Sequence, residues 1–171
     1  MKLIQVATQQ FIDNITSITP GALKGGLMCL ERRPRTDELL AAGADGAPKL
    51  FKMFRVEKRV IGDDFNRIRA YEGLPGRVFS LAWSTDGERF AVGSSAQGTG
   101  EVRLYRVGEE TPAWRQAVGA GIFSVDVAPA GDRVAVGAYD GRVRLLDAAS
   151  GSIVHEFFPV PLEDGASEGT R

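Results

Sequence analysis

The chain has 171 residues, 43% of them hydrophobic and 25% charged, and a formal net charge of -1. That balance belongs to a soluble globular domain large enough for a core of its own, and it supplies no overall field to recruit nucleic acid or an anionic membrane. A single cysteine, Cys29, and a single histidine, His155, exclude an intrachain disulfide, a Cys-x-x-Cys motif and a histidine-based metal cluster within one chain.

Glycine is the compositional outlier, at 21 of 171 residues against a usual ~7%, which signals many tight turns and so many short strands. The opening stretch, "MKLIQVATQQFIDNITS", meets Gln and Thr before any long apolar run. It does not read as a signal peptide, nothing downstream reads as a membrane span, and the default compartment is cytoplasmic, with that of any longer parent protein left open. Cys29, in "GLMCLE", reads as a buried small hydrophobe and not as a reactive thiol. "NIT" at 14–16 matches a glycosylation acceptor that matters only in a secretory context. "GALKGG" and "GADGAPK" lack phosphate-loop spacing and precede no helix, so nucleotide binding is rejected. Asp63 and Asp64 beside Asn66 fit a turn better than a cation site, because neighbouring acids on a strand point to opposite faces.

From residue 76 a phrase repeats. "GRVFSLAWSTDGERFAVGSSAQGTGEVRLYRV" aligns with "AGIFSVDVAPAGDRVAVGAYDGRVRLLDA", with Phe79 matching Phe123 and Gly87 matching Gly131. A three-residue insertion falls within "SSAQGTG" (94–100) of the first copy. A weaker copy lies upstream, where "DELLAAGADGAPKLFK" (37–52) aligns with "DRVAVGAYDGRVRLLD" (132–147). There Gly43, Asp45 and Gly46 are placed opposite Gly137, Asp140 and Gly141, with one residue fewer in the turn.

Each copy carries the pattern of a small antiparallel sheet. Phe79, Leu81 and Trp83, like Phe123, Val125 and Val127, alternate with small or polar residues as a half-buried strand does. "TDGE" and "PAGD" turn the chain into a second strand, "RFAVGS" or "RVAVGA", apolar enough to be buried on both faces. Asp-Gly at 45–46 and 140–141 suits the positive φ of a tight hairpin. A third strand alternates Val102 with Leu104 and Val143 with Leu145, and a fourth is expected at 114–118 and 152–158.

Four short strands every 40–45 residues, repeated, describe propeller blades. On the segments "FSLAWSTDGERFAVGS…GEVRLYRV" and "FSVDVAPAGDRVAVGAYDGRVRLLDAASG" the sequence resembles WD40 repeats in degenerate form. The family's closing Trp-Asp is replaced by Tyr105-Arg106, Leu146-Asp147 and Phe51-Lys52, and its Gly-His opening is absent, so the Asp-His-Ser-Trp network of the family cannot form. "DNITSITPGALKGGL" and residues 43–84 are, more narrowly, similar to bacterial WD40 proteins in which the propeller is joined to a c-type cytochrome. The haem motif Cys-x-x-Cys-His is missing, so no haem chemistry carries over.

The fold class expected is therefore all-β, a partial WD40-like propeller of three four-stranded blades. Residues 1–24 are read as an outer strand of a preceding blade plus a long loop, 25–75, 76–118 and 119–158 as blades, and 159–171 as a disordered tail. Three blades are fewer than the usual four to eight, so self-association or further blades are expected to cover the end faces. The resemblance implies that loops joining the fourth strand to the next first strand, and the second to the third, share one face. On that face fall 8–25 with Asp13, Asn14, Thr16 and Ser17, then Asp45, the stretch 94–100 with Ser95, Gln97 and Thr99, and Tyr139 with Asp140. Residues 54–68 would lie on the other.

Long loops favour binding over length drift only evenly. Lys49, Arg103 and Arg144 share one third-strand position and are read as packing elements, their stems covering apolar surface and their heads meeting carboxylates. Asp126 is read as a hydrogen-bonded structural residue, and His155 as an exposed edge residue without a catalytic partner. The function expected is a non-catalytic module engaging a protein or peptide, with no cofactor and no metal. Two alternatives remain: purely structural blades of a multidomain, cytochrome-linked protein, or a fragment of a propeller enzyme whose site needs further blades.

Overall fold

A computed structural model describes residues 2–14, 26–54 and 66–160. Among them every regular element is a strand. The alternation of apolar and polar residues, punctuated by glycines with positive φ at 46, 87, 98, 131, 141 and 151, leaves the chain short extended segments and tight reversals.

The first two strands, β1 (Lys2–Ile4) and β2 (Phe11–Asn14), form a two-stranded antiparallel hairpin. Three four-stranded antiparallel sheets follow. Sheet one contains β3 (Leu27–Arg32), β4 (Glu38–Gly43), β5 (Lys49–Lys52) and β6 (Arg67–Ala70). Sheet two contains β7 (Arg77–Trp83), β8 (Arg89–Ala96), β9 (Thr99–Arg106) and β10 (Trp114–Val118). Sheet three contains β11 (Ile122–Val127), β12 (Arg133–Ala138), β13 (Val143–Asp147) and β14 (Ile153–Phe157). In each, sequence order is spatial order. The first strands are the neighbours between sheets, β3 against β7 and β7 against β11. The architecture is all-β, with three blade-like sheets side by side.

Sheet two is covered on both faces. Leu81, Trp83, Phe90, Val92 and Tyr105 pack against Leu40, Ala42, Leu50, Tyr71 and Leu74 around sheet one. On the reverse face Ala82, Ala91, Val102 and Leu104 meet Ile122, Val125, Val134, Val136 and Leu146 of sheet three. This explains a run such as "RFAVG": a central strand in a sandwiched sheet has no polar side. In sheet three only alternate residues are deeply buried, with Val134 and Val136 at 0% exposure while Ala135 and Gly137 are half-buried. The expectation that "RVAVGA" is buried on both faces is thus corrected, because no described element covers the second face.

Three further corrections follow from register. The weak copy aligns without a gap: Cys29 pairs with Ala42 as Ser124 pairs with Gly137, so Ala42, not Gly43, takes the place of Gly137. The turn is no shorter, since the Gly46 amide donates to the Gly43 carbonyl as that of Gly141 donates to Ala138. Second, 94–100 is mostly strand. Gln97 and Gly98, with φ of 50° and 84°, make the two-residue turn, and the extra residues lengthen β8 and β9; paired positive φ matches the twist of the flanking strands. Third, Phe79 and Phe123 leave the alternation. Each is an unpaired bulge residue, as is Met28, because the register steps from 78 to 80, from 122 to 124 and from 27 to 29. A bulge turns its extra side chain out of the pleat, and Phe123 is 47% exposed.

The core of the long loop expected at 54–68, residues 55–65, lies outside the described residues, as do Thr16, Ser17, Asp63, Asp64 and most of the C-terminal tail.

Candidate functional site

The start of each first strand is level with the end of the second, since Val78 pairs with Ser94 and Ile122 with Ala138. The bulged phenylalanines therefore sit on the edge that carries the turns between second and third strands. There Phe79 and Phe123 meet with ring centroids 5.0 Å apart, and Phe123 meets Tyr139 at 6.3 Å. Phe79 is half-buried, Phe123 half-exposed and Tyr139 83% exposed. The Tyr139 amide donates to the Gly121 carbonyl at 2.8 Å, which ties the turn to the strand entry. The result is a ladder of aromatic rings emerging from the core, suited to contact with an apolar or aromatic side chain.

Beside it, the projecting β8–β9 hairpin borders a cleft of about 410 Å³, lined by Pro75, Ala96, Thr99, Glu101, Ala117 and Val118 among others. Gln97 and Thr99 are exposed at its tip, and Ser95 is half-buried. The Thr99 hydroxyl donates to the Ala96 carbonyl at 2.9 Å. Ser95 leaves the neighbouring loop no room for a side chain, because a Cβ on Gly121 would lie 2.3 Å from its Oγ.

Asp45 and Asp140 sit on this edge but spend their carboxylates inward. Asp45 pairs with Lys49, and Asp140 takes two bonds from Arg144, at 3.1 and 2.5 Å. Those bonds hold the Asp140 carboxyl below its ordinary range. The third member of the series, Arg103, donates to Glu101, to Glu72 at 3.2 Å and to the Gly73 carbonyl at 2.9 Å. All three cations are at most 7% exposed, so these bases are packing elements with paired heads and present no basic stripe. Asp13 and Asn14 lie on β2, where their side chains are outside description.

Little here resembles chemistry. His155 is exposed, 5.4 Å from the Phe157 ring. Asp126 is exposed and accepts the Val127 amide at 2.8 Å. Among the described residues no three His, Cys, Asp or Glu side chains gather as metal ligands would. Burial pushes the Cys29 thiol up to about 12, and its Sγ lies 3.6 Å from the Ala42 carbonyl, so it is a protonated packing group. The aromatic ladder was missed because period-two alternation assigns Phe79 and Phe123 to the core.

One comparison bears on this geometry. The family model described as "WD domain, G-beta repeat" matches residues 116–147, the stretch from β10 to the end of β13. No curated protein matches the chain at a significant level.

Proposed function

We propose that the chain is a non-catalytic, WD40-like interaction module that holds a peptide segment of a protein partner on the edge formed by Phe79, Phe123 and Tyr139. The observation that carries this reading is the aromatic ladder, with Phe123 at 47% and Tyr139 at 83% exposure on a rigid sheet edge beside a cleft. Large rings held at the surface give contact area at small entropic cost, which is why they dominate binding hot spots. Mechanism here is presentation: the sheets fix the rings, and the β8–β9 hairpin supplies polar groups for backbone contacts.

On this reading residues 25–75, 76–118 and 119–158 act as blades, and Ser95, Gln97, Thr99 and Tyr139 belong to the binding face. Kinship with cytochrome-joined bacterial propellers is part of the proposal and rests on sequence resemblance alone. Selection of displayed peptides on the immobilised chain tests the function. Peptides with an apolar or aromatic anchor are expected, and Phe123→Ser with Tyr139→Ser should weaken them at least tenfold, about 1.4 kcal/mol, with folding retained. Selected peptides that bind the double variant equally well would overturn it.

A further inference from the structure

The two joints between sheets use equivalent acceptors, reached from different donor positions, and only the second has a glycine socket, since Ala42 stands at the place of Gly93 in the first. In the second, Gly93 is the socket: a Cβ there would lie 2.5 Å from Ile122 Cγ2 and 2.8 Å from Val125 Cγ1. The Val125 amide donates to Ser80 Oγ at 3.0 Å, Trp114 Nε1 donates to the Ala148 carbonyl at 2.9 Å, and Arg89 donates to the Gly131 carbonyl at 3.0 Å. In the first joint, Tyr71 Oη donates to the Val107 carbonyl at 3.1 Å and Arg33 to the Gly87 carbonyl at 2.7 Å. Val107 and Ala148 are equivalent, since their amides donate to the Glu88 and Asp132 carbonyls ahead of the matching second strands.

Sheet three repeats the giving half of the second joint on its outer face, where no described element packs. Register places Ser124 at the position of Ser80, Gly137 at that of Gly93, and Val143 and Leu145 at those of Val102 and Leu104. His155, opposite Leu145, stands where Trp114 stands opposite Leu104. The socket is open: a Cβ on Gly137 would meet only Ser124 Cβ, at 3.6 Å. Sheet one carries the receiving half. Leu27 and Leu30 occupy the positions of Ile122 and Val125, and both are exposed, at 38% and 45%.

We infer that the outer face of sheet three is a docking surface for sheet one of a second copy of the chain, with Leu27 and Leu30 entering the Gly137 socket. The partner surface is chosen by continuity with the joint between sheets two and three, whose plug positions Ile122 and Val125 are matched by Leu27 and Leu30. The association is head to tail, so two copies can close on each other through two identical joints.

Light scattering after size exclusion, over a dilution series of the full chain, tests it. The expected mass is twice 18.4 kDa at high concentration. Gly137→Val fills an open socket and leaves the fold intact, and Leu30→Glu charges an exposed knob. Each alone should raise the dissociation midpoint at least tenfold. An equimolar mixture should recover a dimer, because one joint of the mixed pair keeps both native halves. Melting curves establish that each variant is folded. A wild-type monomer throughout, an unperturbed Gly137→Val dimer, a Leu30→Glu variant that still dimerises, or a mixture that stays monomeric would each overturn the inference.

Discussion

Gly93 and Ile122 fit as socket and plug. A side chain on Gly93 would begin 2.5 Å from Ile122 Cγ2 and 2.8 Å from Val125 Cγ1, so the join between sheets two and three depends on glycine for space, not for backbone conformation. Gly93→Val is expected to cost about 3 kcal/mol, at the upper end of overpacking penalties, and to lower the melting temperature by roughly 6–12 °C. Gly137→Val, at the matching but open position, should shift it little. Thermal unfolding of the two variants side by side checks this.

Arg144 separates packing from pairing. Its side chain is buried, donating to Asp140 and ion-paired through Nε with Glu156 at 2.6 Å. Arg144→Ala removes stem and head together and should cost about 2–3 kcal/mol, while Arg144→Met keeps the apolar stem and should cost about half of that. Both are read from chemical denaturation. Equal losses would mean that the stem contributes nothing.

Cys29 should be slow toward thiol reagents in the native chain. Its thiol is pushed up to about 12 by burial, and the thiolate is the reactive species. A disulfide reagent is expected to label it at the rate of unfolding and immediately in denaturant. Fast native labelling would contradict its packing against the core of sheets one and two.

Acid should destabilise the chain below about pH 4, the unfolded carboxylate range. Asp140 is held low by Arg144, Asp147 by the amide and hydroxyl of Ser150, and Asp86 by the Ser84 hydroxyl. A depressed folded value means that the unfolded state takes up protons first. The stabilisation is therefore complete above the unfolded value and is lost as pH falls through the folded one. Glu31 works in the opposite sense: burial raises it, with the Asp126 charge adding, so its protonation relieves the folded state in the window just above. Melting temperature is expected to be flat or slightly rising toward about pH 4.5 and to fall below about pH 4, less steeply in Asp140→Asn.

The strands of sheets two and three and their order were legible because alternation and the Asp-Gly turn at 140–141 are local signals, whereas the Gln97-Gly98 turn and the strand at 11–14 were not. The buried role of Lys49, Arg103 and Arg144 was legible too, since a cation recurring at one blade position must satisfy one geometry. The bulges at Met28, Phe79 and Phe123 were not. A single unpaired residue inverts the facing of what precedes it, and nothing in "VFSLAW" marks where pairing steps. The exposed face of sheet three was equally hidden, for Ala135 and Gly137 look like the fully covered Ala91 and Gly93.

Three sheets lie side by side with their first strands as neighbours, and nuclear Overhauser contacts test that arrangement most directly. With Ile122 methyl-labelled, a strong contact from its Cγ2 methyl to the Gly93 α-protons is expected, together with one from the Tyr71 ring to Phe90, whose centroids lie 4.8 Å apart. Contacts within each sheet but none across these two pairs would contradict the stacked architecture, and with it the aromatic edge that Phe79 and Phe123 form between sheets.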